Sequence, residues 1–182
     1  MIHFLFLGNL IPSKGIPVLL DACRILREKG VPFLCHIAGA PTGEMSLEQV
    51  RHMMQERSLT SCVTLHGGVY GNNKEELFKK CHVFVFPTQY PNECFPLVLL
   101  EAMQHALPII ATPVGAIPDM VEDGVTGLII PEQDVKALAE AMQSFIEHPE
   151  RIRSMGEAAR GRFLQSYTVN RFEQRLLHIL AH

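Results

Sequence analysis

Short runs of β-branched and aromatic residues alternate with longer amphipathic stretches along most of this chain. Strands are predicted over residues 3–7, 33–38, 63–65, 82–86 and 109–112, and helices over residues 16–29, 47–57, 74–80 and 96–105. Such a β-α-β-α succession admits few folds. Each helix returns the chain to the same end of the sheet, so the strands run parallel and need cover on both faces. A doubly wound α/β sheet of Rossmann-like type is therefore expected, with a last strand over residues 125–130 after the Asp123-Gly124 turn. The remainder, over residues 132–147, 149–166 and 169–180, reads as a helical tail that packs along the sheet edge or reaches for another domain.

At 182 residues the chain suits one large domain better than two, and no repeat, low-complexity tract or charged linker divides it. The formal net charge of −3 argues against a nucleic-acid binder that relies on a basic field. Nearly half of the residues, 47%, are apolar, yet no uninterrupted run would span a bilayer. The apolar opening MIHFLFLGNLIP lacks a basic lead-in and a small-residue cleavage site, and is read as the first strand. The five cysteines are widely spaced without a CxxC pair, which suggests neither a disulfide framework nor a zinc site and fits a reducing, cytoplasmic setting. His36, His66, His82 and His105 do not fall at metal-ligand spacings. The neighbours Cys81 and His82 point to opposite faces of a strand and are not expected to act as a nucleophile pair.

In open parallel sheets, ligands settle at the carboxyl ends of the strands near the switch in strand order. Three glycine-bearing loops fall there, over residues 8–15, 39–43 and 67–71. A single such loop is an ordinary turn; three at one rim point to a ligand site.

The segment NECFPLVLLEAM adds two acids, Glu93 and Glu101, separated by seven uncharged residues. Pro96 suits the first turn of a helix, so Glu93 precedes that helix and Glu101 lies more than one turn inside it, roughly 7–8 Å along the axis from Pro96. Between them lie the free amides at Phe95 and Leu97 and the positive end of the helix dipole. A helix start attracts phosphate, and carboxylates accept hydrogen bonds from sugar hydroxyls. Hydroxyls, phosphate, then hydroxyls again is the pattern of a nucleotide sugar. Spacing alone leaves an equally good alternative, with Glu93 capping the helix and Glu101 exposed on an amphipathic face.

The longer stretch NECFPLVLLEAMQHALPIIATPVGAIPDMVEDGVTGLII closely resembles the donor-binding segment of the retaining GT-B glycosyltransferases called group 1, or family 4. The resemblance covers almost the whole chain: FLFLGNLIPSKGIPVLLDA is similar to the family's first strand and phosphate loop, FLCHIAGAPTG to its second strand and glycine turn, and VTLHGGVYGNNKEELFKKCHVFVFPTQ to the run leading into the acidic motif. It implies that Glu93 approaches the transferred sugar, that Glu101 accepts from the ribose, and that the amides around Phe95 and Leu97 hold the diphosphate. Lys14 would neutralise the departing diphosphate, Gly8 would let that backbone approach closely, and Gly68 and Val69 would contact the base. The catalytic assignments are thus Glu93 and Lys14, with no metal or other cofactor and a UDP-, GDP- or ADP-sugar as substrate.

The resemblance also implies that the chain matches only the carboxy-terminal, donor-binding domain, 1–182, and that the amino-terminal acceptor domain is its missing partner. On its own it is expected to bind donor weakly and turn over little. The terminal YTVNRFEQRLLHILAH resembles the helix that crosses back to that partner, which would leave Phe172, Leu176, Leu177 and Leu180 exposed. Contact of the full enzyme with the inner face of a membrane stays open. Rival readings are a non-catalytic nucleotide-sugar binding subunit of a split transferase, half of a sugar-nucleotide epimerase, or a generic doubly wound regulator. Two departures from the family pattern stand out. Asn9 occupies the place of a usual basic residue, and Ala106 that of a usual small glycine, where only packing is expected to change.

Overall fold

The computed structural model describes residues 1–180, so Ala181 and His182 of the terminal segment lie outside it. Six strands form one all-parallel sheet: β1 (Ile2–Leu7), β2 (Phe33–Ala38), β3 (Val63–Gly67), β4 (Val83–Phe86), β5 (Ile109–Ala111) and β6 (Gly127–Ile129). Their order is β3-β2-β1-β4-β5-β6. The helices are α1 (Ile16–Glu28), α2 (Leu47–Glu56), α3 (Gly71–Lys80), α4 (Leu97–Gln104), α5 (Ile117–Met120), α6 (Val135–Glu147), α7 (Glu150–Ser166) and α8 (Val169–Leu180). The doubly wound α/β architecture expected from the alternation is the one formed.

The order runs outwards in both directions from the β1–β4 pair. Right-handed crossovers therefore put α1 and α2 on one face of the sheet and α4 on the other. Helix α1 packs on α6, and α4 on α7. The middle of the sheet is dry: Phe4, Leu5 and Phe6 of β1 and all four residues of β4 are fully buried. A strand covered on both faces needs no polar alternation, which is why HVFVF reads as a continuous apolar run.

Three short elements depart from expectation. A one-turn 3₁₀ helix spans Pro12–Lys14, and α5 is a single turn; neither is long enough to show a helical period, and Pro12 and Pro118 near their starts are the only local clues. Helix α3 starts at Gly71 rather than residue 74, because Asn72 and Asn73 are weak helix formers and mask its first turn. Helix α6 starts at Val135, where the Asp134 carboxylate caps it by accepting the Ala137 amide at 2.8 Å. Ala106 also proves to be more than a packing change. It adopts φ 55°, in the left-handed region where a Cβ is strained.

Four histidines cross the sheet in one row. The His3 amide donates to His82 Nδ1 at 3.1 Å, His3 Nδ1 lies 3.2 Å from His36 Nε2, and His36 Nδ1 lies 3.0 Å from His66 Nε2. His82 lies opposite His3 across β4 and β1, while Leu5 pairs with His36 and His36 with Thr64, so the steps from His3 to His36 and from His36 to His66 each move two residues along the strands and stay on one face. Among the described residues they belong to no group of three or more side chains able to hold a metal ion. Burial pushes all four imidazoles towards the neutral form, His36 furthest, to about 4. Cys81, beside His82, is buried and its thiol is pushed up to about 12, which leaves no thiolate for nucleophilic work.

Candidate functional site

The switch point lies between β1 and β4, and the loops leaving these two strands hold the side chains singled out in the sequence. After β1 the chain passes Gly8 and Asn9 into the 3₁₀ turn that ends at Lys14. Gly15 then takes φ 89°, and a Cβ there would fall onto the Pro87 carbonyl, so only glycine lets the two loops close. The Gln89 amide donates to the Ser13 carbonyl at 2.7 Å and ties the loop after β4 to the turn.

Lys14 is thereby held in a cage. Its Nζ lies 5.6 Å from the Phe86 ring centroid, 5.5 Å from that of Tyr90, and 3.2 Å from Glu93 Oε2. Glu93 is only 9% exposed, and the approach of Lys14 is not that of an aligned hydrogen bond, so Oε2 remains a buried acceptor without a donor. The loop that presents it is rigid. The Thr112 hydroxyl donates to the Thr88 carbonyl, the Tyr90 amide to Thr88 Oγ1 at 3.1 Å, and the Glu93 amide to the Tyr90 carbonyl at 3.0 Å. The Ala116 amide donates to the Cys94 carbonyl at 2.9 Å. Beside it, Gly115 at φ 56° leaves room for the Glu93 carbonyl, where any Cβ would collide.

Helix α4 begins with Pro96 as its N-cap and no side chain caps it, so Glu93 does not serve as the cap. The Leu99 amide reaches back to the Pro96 carbonyl at 3.0 Å, whereas the amides of Phe95, Leu97 and Val98 donate to no acceptor among the described residues. With Phe95 and Leu97 both exposed, this helix start is open to an anion. Val98 joins the two amides named from the sequence.

Glu101 sits one turn into α4, as its spacing requires, and it is neither free nor simply solvated. Lys74 Nζ on α3 lies 2.6 Å from its Oε1. A second ion pair follows along the same two helices: His105 Nε2 lies 2.9 Å from Glu75 Oε2, and its Nδ1 lies 2.8 Å from the Glu101 carbonyl. The bond and the charge of His105 hold the Glu75 carboxyl below its ordinary range. Neither Lys74 nor Tyr90 was signalled by the sequence: the first lies in an unremarkable polar run, NNKEE, and the second in a loop without a period.

At the carboxyl ends of β1, β2 and β3, a slot of about 80 Å³ is lined by Gly8, Asn9, Gly39, Gly68, Val69 and Tyr70, among others. The sequence candidates Gly8, Gly68 and Val69 thus share one cleft, walled largely by backbone and small residues. The Asn9 side chain makes no hydrogen bond or ion pair among the described residues, so no guanidinium or ammonium stands where a basic residue was expected.

A family model described as glycosyl transferases group 1 matches residues 2–162. The chain belongs to the group 1 glycosyl transferases. O-antigen chain mannosyltransferase C of Escherichia coli is 33% identical over 168 residues, which cover 92% of this chain and 43% of that protein. The chain spans less than half the length of the curated relatives it matches. The fold is shared with HepE from Anabaena in complex with UDP, at a TM-score of 0.88 and 21% identity over 98% of this chain and 48% of that one. It is also shared with the C-terminal domain of a group 1 protein, LpcC, from Francisella tularensis, at a TM-score of 0.80 and 17% identity, covering 92% and 87% of the two chains. This group 1 chain therefore has the architecture of a carboxy-terminal GT-B half, and among its described residues no helix is long and apolar enough to cross a membrane.

Proposed function

We propose that this chain is the donor-binding half of a glycosyltransferase that takes its sugar from a nucleoside diphosphate sugar and passes it to an acceptor hydroxyl with retention at the anomeric carbon. The observation that carries this reading is Glu93: a buried carboxylate oxygen without an aligned donor, 3.2 Å from Lys14, on the loop before an uncapped helix start. A carboxylate oxygen left so in a folded protein calls for a donor from outside the chain, and a sugar hydroxyl is one that fits.

In this reading the diphosphate lies on the amides of Phe95, Leu97 and Val98 and beside Lys14, the ribose hydroxyls on Glu101, and the base in the slot of Gly8, Gly68 and Val69. As the bond from the anomeric carbon to the diphosphate breaks, negative charge grows on the leaving oxygen. Lys14 and the helix dipole stabilise that charge from fixed positions. The acceptor oxygen bonds to the same face of the sugar carbon, and its proton passes to the departing phosphate. Glu93, too buried to reorganise, orients the sugar. A slot lined mainly by backbone carries no side-chain signature for one base over another, and the relative solved with UDP supports the class of ligand.

An amino-terminal acceptor-binding domain would complete the cleft, as the length of the relatives supports. The exposed Phe172, Leu176, Leu177 and Leu180 of α8 offer it an apolar face. Alone, the chain binds donor weakly and turns over little. We place the reaction in the cytoplasm, with peripheral membrane contact left to the acceptor half. Calorimetric titration of the chain with UDP-, GDP- and ADP-sugars tests the reading. Binding of at least one, weakened by Glu101→Ala, is expected; heat from none of them would overturn it.

A further inference from the structure

Glu101 can serve a ribose only if its carboxylate is held still, and nothing on its own helix does that. The side chain is 36% exposed, and among the described residues it has no hydrogen bond to its own helix, since His105 meets only the backbone carbonyl. An unrestrained glutamate at such a site spreads over several rotamers, and a hydroxyl must then bear the cost of ordering it.

We infer that Lys74 is a positioning residue for the donor site, fixing the Glu101 carboxylate so that its free oxygen meets the ribose hydroxyls; this rests on the nucleotide-sugar reading given above. The Lys74 ammonium, 27% exposed, binds Oε1 at 2.6 Å, and Oε2 has no hydrogen-bond partner among the described residues. The lysine is itself placed by the helix pairing, since Glu75, the next residue on α3, binds His105, the residue just past α4. His105 also stacks on Phe78 of α3, with centroids 4.7 Å apart and an interplanar angle of 12°. The Lys74–Glu101 ion pair, the Glu75–His105 contact and a stacked ring therefore tie α3 to α4 beside Glu101. Lys74 has an electrostatic effect as well. Without it, Glu101 would stand as a bare anion on the rim of a site that receives a diphosphate. With it, each acid of the motif has a lysine beside it, Glu93 with Lys14 and Glu101 with Lys74.

The test is calorimetric titration of the chain with UDP, GDP and ADP, each beside its 2′,3′-dideoxy counterpart, which lacks the hydroxyls. The native chain is expected to prefer the ribose form of its nucleotide by about tenfold or more, as for hydrogen bonds to a charged group. Lys74→Met is expected to lose most of that preference while its affinity for the dideoxy form changes little. Lys74→Arg, which can still reach the carboxylate, is expected to keep most of it. Equal weakening of both forms by Lys74→Met would make the lysine a general electrostatic or structural residue and overturn the inference, as would an unchanged preference. Thermal melts of the variants separate misfolding from loss of positioning. A Lys74→Met protein that does not fold leaves Lys74→Arg to decide, since full loss of preference in a folded arginine variant also overturns it. A native chain that binds none of the three nucleotides refutes the donor-site reading itself, and this inference with it. A native chain that binds them without regard to the hydroxyls refutes only the ribose role of Glu101 and Lys74.

Discussion

The Glu93 carboxylate meets the Lys14 ammonium at 3.2 Å across the junction of β1 and β4, the two strands where the order of the sheet reverses. One partner comes from the loop after the first strand and the other from the loop after the fourth. Their meeting depends on the whole β1-to-β4 topology rather than on any local motif. It also sets a physical tension at the site, because a buried carboxylate is tolerable only with a cation or hydroxyl donors close by.

That tension predicts the effect of Lys14→Met. Removing the cation leaves Glu93 uncompensated, and stability should fall by about 1–3 kcal/mol, less than for a wholly buried pair because Lys14 is 17% exposed. Pairing it with Glu93→Gln should recover much of the loss, giving a non-additive cycle in denaturant unfolding. In a protein that joins this chain to the proposed acceptor domain, turnover of Lys14→Met should drop by about 10²–10³, the scale for one preorganised charge-stabilising group. Additive stability effects would show that the two side chains do not sense each other.

How much of this was legible in the sequence depends on how local the cause is. The central strands follow from burial on both faces, which writes apolar runs such as HVFVF into the chain. Glu93, Glu101 and the glycine loops could be picked out because spacing and order mark them, whereas Lys14 was reached only through the family resemblance. Lys74 could not, since its contact with Glu101 is made by two helices whose relative rotation no local period records. The histidine row was invisible for a related reason: its members come from four separate segments, His82 in step with His3 and the others offset by two residues, and only the order and register of the sheet bring them together.

That row makes stability depend on pH. An unfolded histidine takes up a proton near pH 6.5, while burial holds folded His36 neutral down to about 4, and His3, His66 and His82 are shifted in the same direction. Between these limits the unfolded chain binds more protons than the folded one, so stability falls as pH drops below 6.5 and is flat above it. His36, 3% exposed, should account for about 1–3 kcal/mol of the loss by pH 4. Urea unfolding at pH 7.5, 6 and 4.5 should show this slope, and His36→Leu should flatten it. An unchanged slope in that variant would remove the row from the explanation.

Ala106 offers a substitution that should improve on the native residue. At φ 55° its Cβ is strained, and glycine relieves that strain while adding some flexibility to the unfolded chain. Ala106→Gly should therefore gain about 0.5–1 kcal/mol, near 2–3 °C in melting temperature for a chain of this size. A glycine that lowers the melting temperature would mean that contacts of the alanine methyl outweigh the backbone.

Asn9 tests how the diphosphate is neutralised. It lines the slot proposed for the base, beside Gly8, and its side chain has no partner among the described residues. If Lys14 and the uncapped start of α4 supply all the positive potential, that potential is incomplete for a group carrying two to three negative charges. Asn9→Arg should then tighten binding of a nucleoside diphosphate by about three- to tenfold at low salt, the modest gain of a charge-assisted hydrogen bond at a partly exposed position. Because the added attraction is screened, the gain should shrink as ionic strength rises from 20 to about 300 mM, where the Debye length falls well below 10 Å. A nucleoside, which lacks the phosphates, should bind the variant and the native chain equally. Tightening of the nucleoside as well would trace the effect to stacking in the slot, and no tightening of either would mean that residue 9 faces away from the phosphates.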